Sequence, residues 1–177
     1  QNGLYKTDDS GSNWTLISGL PDGARVDAIT IHPQNTEKLM AGIEFHGLYT
    51  SPDGGQTWQQ IAAGLEPNNS IRDILYDPND PEVIYLSDLM SGIYRSTDGG
   101  QTWQQINDGL STRSTTRLAI SADSQHIYAA TNGEGVFRLD LNGQPPVPRS
   151  GDFSGEQEVE ELPEQEPAPE ISEQESA

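Results

Sequence analysis

Apolar and polar residues alternate along most of the chain in short runs, and clusters of Gly, Pro, Asn and Asp separate these runs. Residues 26–31 show the pattern, and residues 71–76 repeat it one unit later. Alternation with a period of two, enriched in β-branched and aromatic residues, is typical of half-buried β-strands. No run favours a helix in residues 1–142. The pattern therefore predicts an all-β protein built of short strands.

A short polar motif recurs at a fixed place in this strand pattern. Residues 7–14, 51–58 and 96–103 align as S/T-x-D-x-G-x-T-W, with Asn13 in place of Thr in the first copy. All three Trp residues of the chain occupy the last position of the motif, 44 and 45 residues apart. A period of ~40–50 residues made of strands and turns is typical of a β-propeller.

Each repeat contains four predicted strands, and the motif connects the third strand to the fourth. Two complete units run from residue 26 to 61 and from 71 to 106, whereas residues 3–17 supply only a third and a fourth strand. Residues 115–141 supply three strands. We therefore predict a propeller segment of about three to three and a half blades, and closed propellers have ~4–8. We expect the remaining blades to come from the rest of a longer protein, which we favour, or from another copy.

Residues 143–177 have a different composition, and we predict a disordered Pro- and Glu-rich acidic tail after a propeller segment of residues 1–142. This region contains ten acidic residues and one arginine. Few apolar side chains and dense like charge cannot offset the loss of chain entropy on folding. The alternative is a tail that docks on a basic partner.

The charge of the chain argues against nucleic acid as a partner. Residues 1–142 carry −10 of the formal net charge of −19, so the folded part repels phosphate backbones. The absence of cysteine excludes disulfides and thiolate metal sites. No apolar run reaches the ~18 residues that a membrane-spanning helix needs.

The repeated motif resembles the Asp-box, or bacterial neuraminidase repeat, which marks the rim of β-propeller blades and does not catalyse. Its Asp can accept N–H bonds across its own turn, its Gly can adopt a positive φ, and its Trp can bury a large ring. The resemblance implies a structural role for the motif residues Asp9, Gly11, Trp14, Ser51, Asp53, Gly55, Thr57, Trp58, Ser96, Asp98, Gly100, Thr102 and Trp103.

Metal binding has little support in the sequence. A calcium loop around Asp8 and Asp9 would lack the EF-hand spacing and its distal Glu. The three histidines, His32, His46 and His126, are not paired at the spacing of zinc ligands. We therefore expect no metal site and no cofactor.

A second resemblance lies in the connection between the first and second strands. Residues 77–85 and their counterpart, residues 32–39, resemble this connection in sortilin-like and photosystem II assembly factor-like propellers. Similar sequence occurs in xyloglucanase-type glycoside hydrolases. The resemblance implies a propeller over residues 1–142 that binds a protein or peptide. The alternative that it implies is a carbohydrate-binding propeller or a fragment of a sialidase- or xyloglucanase-type glycosidase.

The loops between the second and third strands differ from repeat to repeat, whereas the Asp-box loops are nearly invariant. A structural role needs the same residue in each blade, and a ligand needs different ones. We therefore predict a ligand-binding face at the variable loops, and ordinary loop drift is the alternative. The candidate residues are Glu44, Phe45, His46, Asp88, Met90 and Glu134.

The sequence does not favour an enzyme. Arg25 and Arg72 lie near the starts of successive first strands, which suggests recognition of a carboxylate as in sialidases. The Arg-Ile-Pro signature of sialidases is absent, however, and no Tyr–Glu pair is identifiable. A xyloglucanase needs two facing carboxylates, and Asp27, Asp73 and Asp88 offer no basis for choosing a pair. We predict no catalytic residue and a binding scaffold within a larger protein, with an extracellular, periplasmic or cell-surface location favoured.

Overall fold

The computed structural model describes residues 3–66 and 68–141, and the backbone of residues 144–148. These residues form β-strands and turns, and none of them lies in a helix that could cross a membrane. The strands are β1 (Tyr5–Lys6), β2 (Thr15–Leu16), β3 (Val26–His32), β4 (Asn35–Ile43), β5 (Gly47–Ser51), β6 (Gln59–Ile61), β7 (Ile71–Tyr76), β8 (Ile84–Asp88), β9 (Gly92–Ser96), β10 (Gln104–Gln105), β11 (Thr115–Ile120), β12 (His126–Thr131), β13 (Val136–Asp140) and β14 (Gln144–Pro148).

The strands form three four-stranded antiparallel sheets and one hairpin. The hairpin is β1–β2, and the sheets have the sequential orders β3-β4-β5-β6, β7-β8-β9-β10 and β11-β12-β13-β14. We call these three the second, third and fourth sheets. Their first strands, β3, β7 and β11, lie beside one another, so successive sheets pack face to face around a common side. This arrangement confirms the predicted propeller segment of about three and a half blades.

The last unit has four strands, and the expectation of three was wrong. β14 pairs with β13, so that Phe137 lies opposite Pro148 and Asp140 opposite Gln144. Proline cannot donate a backbone hydrogen bond, but an outer strand leaves half of its N–H groups unpaired in any case. The disordered tail stays a prediction, because residues 149–177 lie outside the described residues.

Two hydrophobic clusters hold the sheets together. In the first cluster, Met40 and Leu48 of the second sheet pack against Ile74 and Trp103 of the third. The second cluster joins the third sheet to the fourth through Val83, Tyr85, Ile93, Leu118, Ile127 and Ala129. All five residues of β8 are buried, because this strand is covered on both faces.

The outer face of the second sheet is only partly covered. Ile29 and Ile31 of β3 are 47% and 55% exposed, whereas Ile74 of β7, the equivalent of Ile29, is 4% exposed. Trp14 is 61% exposed and Trp103 is 5% exposed. The expectation that every motif Trp buries its ring therefore fails for Trp14, because the hairpin β1–β2 brings no first and second strand to cover it.

The turns at the three copies of the repeated motif, which we call the Asp-box turns for the family repeat that they resemble, are built by the motif's own side chains. In the third copy, Ser96 Oγ accepts the Gly100 N–H at 2.9 Å and donates to Asp98 Oδ1 at 2.7 Å. The other oxygen of Asp98 accepts the Thr102 hydroxyl at 2.5 Å, and Trp103 Nε1 donates to the Gly100 carbonyl at 3.1 Å. Gly100 has a φ of 86°, a conformation that disfavours other residues.

The other two copies repeat this network. Asp53 accepts the Thr57 N–H at 2.8 Å and the Thr57 hydroxyl at 2.6 Å. In the first copy the amide of Asn13 replaces that hydroxyl and donates to Asp9 Oδ2 at 2.6 Å. The substitution of Asn for Thr therefore preserves the hydrogen bond that closes the turn.

We expect Trp103→Ala to lower the free energy of unfolding by about 3–5 kcal/mol, because it removes a buried aromatic ring from the first hydrophobic cluster. Trp14→Ala is the matched control and should change it by no more than about 0.5 kcal/mol, as is usual for exposed positions. Urea unfolding followed by circular dichroism measures both. Equal losses in the two variants would contradict this account.

The Asp-box also predicts how stability depends on pH. Hydrogen bonds from Thr102 and Ser96 lower the pKa of Asp98 from 3.8 to about 2. Since the folded state favours the ionised carboxylate, Asp98 stabilises the folded state fully above pH 3.8. This stabilisation is lost as the pH falls through about 2. We expect Asp98→Ala to lower the Tm at pH 6, and the difference from the unmodified chain to shrink towards pH 2. Asp108→Ala, at an exposed position of the following loop, is the control and should show no such convergence.

Candidate functional site

The variable loops lie together at one end of the sheets. Val26 at the start of β3 lies opposite Ile43 at the end of β4, and Ile43 lies opposite Gly47 at the start of β5. The Asp-box loops follow Ser51 and its equivalents at the other end of the strands. We call the end with the variable loops the loop face.

Two large apolar side chains project from equivalent positions of this face. Phe45 in the β4–β5 loop is 56% exposed, and Met90 in the β8–β9 loop is 70% exposed. Phe45 has a φ of 58°, which is unusual for an aromatic residue, and its N–H donates to Ser70 Oγ at 3.1 Å. The strained backbone and this bond hold the ring outward, where a ligand could contact it.

His46 is held in place beside Phe45. Its Nδ1 lies 2.8 Å from the carbonyl oxygen of Glu44, and its own carbonyl accepts a bond from Gln60 Nε2 at 2.8 Å. Glu134, at the same level of the fourth sheet, is exposed and accepts a bond from Ser111 Oγ. Both side chains are therefore positioned at the surface.

Glu44 belongs to a cluster of four charged residues behind Phe45, which we call the inner charge cluster. Arg72 Nη1 lies 2.6 Å from Asp27 Oδ2, and Arg72 Nη2 lies 3.1 Å from Glu44 Oε1. Arg25 Nε contacts the other oxygen of Asp27 at 2.6 Å. The side chain of Asp27 is 6% exposed and that of Arg72 is 15% exposed, so this ion pair is largely shielded from water.

A β-bulge at the same point of each first strand creates this cluster. The register shifts between Val26 and Ala28, between Ile71 and Asp73, and between Thr115 and Arg117. A bulge leaves one extra residue unpaired and redirects its side chain.

The extra residue is Asp27 in the second sheet and Arg72 in the third. Arg72 occupies the repeat position of Asp27, 45 residues earlier, and not that of Arg25. The structure shows that the two residues pair with each other. Opposite charges at one repeat position were the signal in the sequence.

Asp88 differs from the other candidates because its carboxylate is fully buried. It accepts backbone N–H bonds from Ser70 at 2.5 Å, from Ser91 at 2.6 Å and from Met90 at 2.9 Å. These bonds shape the β8–β9 loop and use the oxygen atoms that a ligand would need. Asp88 therefore supports Met90 and does not face a ligand.

The other two candidate catalytic carboxylates are also engaged. Asp73 accepts the N–H of Leu118 at 2.9 Å and the N–H of Ile74 at 3.0 Å. Asp27 lies within the inner charge cluster. No three His, Asp or Glu side chains of the described residues converge on a point where a metal ion could bind.

Four arginines lie on the loop face, together with the acidic residues Asp22, Glu44, Glu66, Asp108 and Glu134 of the same loops. The arginines are Arg25, Arg72, Arg113 and Arg117, four of the nine Lys and Arg residues. Arg117 Nη1 donates to the Arg72 carbonyl at 3.1 Å, and Arg113 Nη1 donates to the Asn107 carbonyl at 3.0 Å. Arg25, Arg113 and Arg117 are exposed and retain further N–H groups for a ligand.

Comparison with known proteins assigns the chain to a family. The Sortilin-Vps10 family model, described as sortilin, neurotensin receptor 3, matches residues 2–145. The chain belongs to the Sortilin-Vps10 family. A vacuolar protein sorting/targeting protein 10 of Sordaria macrospora is 28% identical over 82 residues, which are 46% of this chain and 5% of that protein. The family membership confirms the resemblance to sortilin-like propellers.

Solved structures of propellers resemble the chain as well. An ancestral GH74 enzyme superimposes with a TM-score of 0.66 at 22% identity, and the match covers 77% of this chain and 20% of the enzyme. For the GH74 enzyme of Niastella koreensis the TM-score is 0.63 at 25% identity, and the match covers 81% of this chain and 25% of the enzyme. For YCF48 bound to a D1 peptide the TM-score is 0.57 at 21% identity, and the match covers 84% of this chain and 50% of YCF48. This chain therefore spans half or less of each of these structures.

We expect Asp88→Ala to destabilise the chain strongly, because three backbone donors would lose a buried acceptor. Each donor left buried without a partner costs about 1–3 kcal/mol. Glu134→Ala, on the equivalent loop of the fourth sheet but exposed, should change the free energy of unfolding by no more than about 0.5 kcal/mol. Urea unfolding of both variants tests this, and a neutral Asp88→Ala would show that its carboxylate is free for another role.

Proposed function

We propose that this propeller segment is a non-catalytic scaffold that binds a protein or peptide at the loop face, within a larger protein. The observation that carries the proposal is the pair of exposed side chains, Phe45 and Met90, held at equivalent positions of neighbouring sheets. Exposed apolar groups that share one surface are typical of sites for a partner. The loops that present them are fixed by internal bonds, so they need little reorganisation on binding.

The chemistry of this face favours a ligand with both an apolar side chain and an acidic group. The ring of Phe45 and the flexible thioether of Met90 can pack around an apolar side chain of the ligand. Arg25, Arg113 and Arg117 can donate to a carboxylate, and their charge contrasts with the net charge of −10 of residues 1–142. His46 and Glu134 offer further polar contacts around the apolar pair.

The relatives agree with this proposal at the level of function class. The family is named for a receptor, and the YCF48 structure contains a D1 peptide. A glycosidase fragment remains the alternative implied by the GH74 structures. We favour the scaffold, because Asp27, Asp73 and Asp88 are each held by bonds within the protein.

The test is selection of a phage-displayed library of random linear peptides on the immobilised chain, followed by calorimetric titration with a selected peptide. The double variant Phe45→Asn, Met90→Ser should weaken that peptide at least about tenfold, because two apolar contacts are lost. Asn tolerates the positive φ of position 45, so the loop should keep its shape.

Trp14→Ala is the matched control, since it removes an exposed aromatic side chain away from the loop face. It should leave the affinity unchanged, and all variants should keep the Tm of the unmodified chain. The proposal is wrong if no peptide is selected, or if the double variant binds the selected peptide as well as the unmodified chain does.

A further inference from the structure

A groove of about 320 Å³ lies between the second and third sheets at the Asp-box end, opposite the loop face. Its volume lies at the lower end of the range for small-molecule sites, ~300–1,000 Å³. Apolar side chains of Leu39, Met40 and Ile61 contribute to its lining. The polar residues that line it are His32, Lys38, Thr50, Ser51, Gln59, Tyr76, Glu82, Asp98 and Gln101.

At the next interface along the chain, hydrogen bonds join the corresponding turns of the third and fourth sheets. There, Asn79 of the third sheet donates to the Ala122 carbonyl at 3.0 Å and to Ser124 Oγ at 2.8 Å. Ser124 Oγ in turn donates to Asp77 Oδ1, so the two β-turns are tied together.

Between the second and third sheets the corresponding turns are not tied in this way. The equivalents of Asp77 and Asn79 are His32 and Gln34. Here the ring of His32 contacts the ring of Tyr76 in the third sheet. The ring centroids of His32 and Tyr76 lie 5.3 Å apart at an angle of 66°. An edge-to-face pair leaves part of the aromatic surface at the border of the groove.

The polar groups of the groove are available to a ligand. Lys38, Gln59 and Glu82 are exposed. Their side chains form no hydrogen bond or ion pair with the part of the chain that the structure describes. Burial and the nearby charge of Glu82 raise the pKa of Tyr76 to about 12, so its hydroxyl stays protonated and can donate. An ammonium group, an amide, a phenol and a carboxylate therefore surround one apolar floor.

This mixture of donors and acceptors selects for a neutral ligand. An anion would be repelled by Glu82 and Asp98, and a cation would be repelled by Lys38. The oxygens of Asp98 already accept bonds from Ser96, Gln101 and Thr102, which leaves Lys38 and Glu82 as the charged groups that can bond to a ligand. Hydroxyl groups donate to a carboxylate and accept from an ammonium group, so they satisfy both without a net charge. We propose that this groove binds a neutral saccharide, with hydroxyls on Lys38 and Glu82 and a ring face against Tyr76.

The proposed saccharide site is independent of the loop face. The two sites lie at opposite ends of the sheets and share no residue, so either can fail without the other. The proposal concerns binding alone and assigns no reaction to the groove.

The experiment is a titration of the uniformly ¹⁵N-labelled 177-residue chain with glucose, galactose, xylose and cellobiose, followed by two-dimensional NMR. We expect saturable shifts of amide signals at His32, Gln59, Tyr76 and Gln101 with at least one of these sugars. Glucosamine and N-acetylneuraminic acid serve as the cationic and anionic comparison, and both should bind more weakly than the neutral sugar.

Glu82→Gln should weaken the sugar about tenfold, because a hydrogen bond to a charged acceptor is replaced by one to a neutral amide. Glu37→Gln is the matched control. Glu37 stands at the equivalent position of the second sheet. Its carboxylate lies beside Gly54, as the carboxylate of Glu82 lies beside Gly99. Glu37 lines a different groove. Its substitution should therefore leave sugar binding unchanged.

The proposal is overturned if none of the neutral sugars shifts the groove signals, or if the shifts map to the loop face. Equal weakening by Glu82→Gln and Glu37→Gln would also overturn it, since that would indicate an effect on the turns and not on the ligand. Tighter binding of either charged sugar would show that the balance of Lys38 and Glu82 does not set the specificity.

Discussion

The packing of one sheet face on the next is the interaction on which this structure depends. A single four-stranded sheet of this length cannot bury its apolar side chains, and each sheet therefore needs a neighbour on both faces. In β8, Ile84 and Leu86 pack towards the second sheet while Tyr85 packs towards the fourth. The exposed Ile29 and Trp14 show the same constraint where a covering sheet is incomplete.

The two ends of the sheets have different physical tasks. At the Asp-box end, one carboxylate in each repeat organises its turn through equivalent bonds, so each copy must supply a donor at the same place, whether Thr or Asn. At the loop face, the turns are supported by different means, such as the buried Asp88 in one loop and the positive φ of Phe45 in another. Because these loops do not share one set of bonds, each of them can present a different side chain at the surface. The fold alone does not specify a function, since proteins of different activities share it.

Comparison of the repeats located the loop face but could not separate ligand-facing from supporting residues. Phe45 and Met90 are exposed as the variability of their loops suggested, whereas Asp88 in the same set is buried under backbone donors. A polar residue in a variable loop has the same appearance in sequence whether it faces solvent or accepts three N–H bonds. The distinction depends on where the neighbouring loop, with Ser70, passes over it.

The strands, the four-strand repeat and the Asp-box turns could be predicted from the amino-acid sequence, because they rest on contacts between residues that are close in the chain. The period-two alternation and the spacing of Trp14, Trp58 and Trp103 were sufficient for that. The ion pair of Asp27 with Arg72 and the open groove beside Tyr76 became visible only in the folded protein. Both depend on how a bulge or a turn of one sheet meets the next, a relation between residues about 45 positions apart that no local pattern specifies. Strand β14 also escaped the sequence pattern, because three of its five residues are proline.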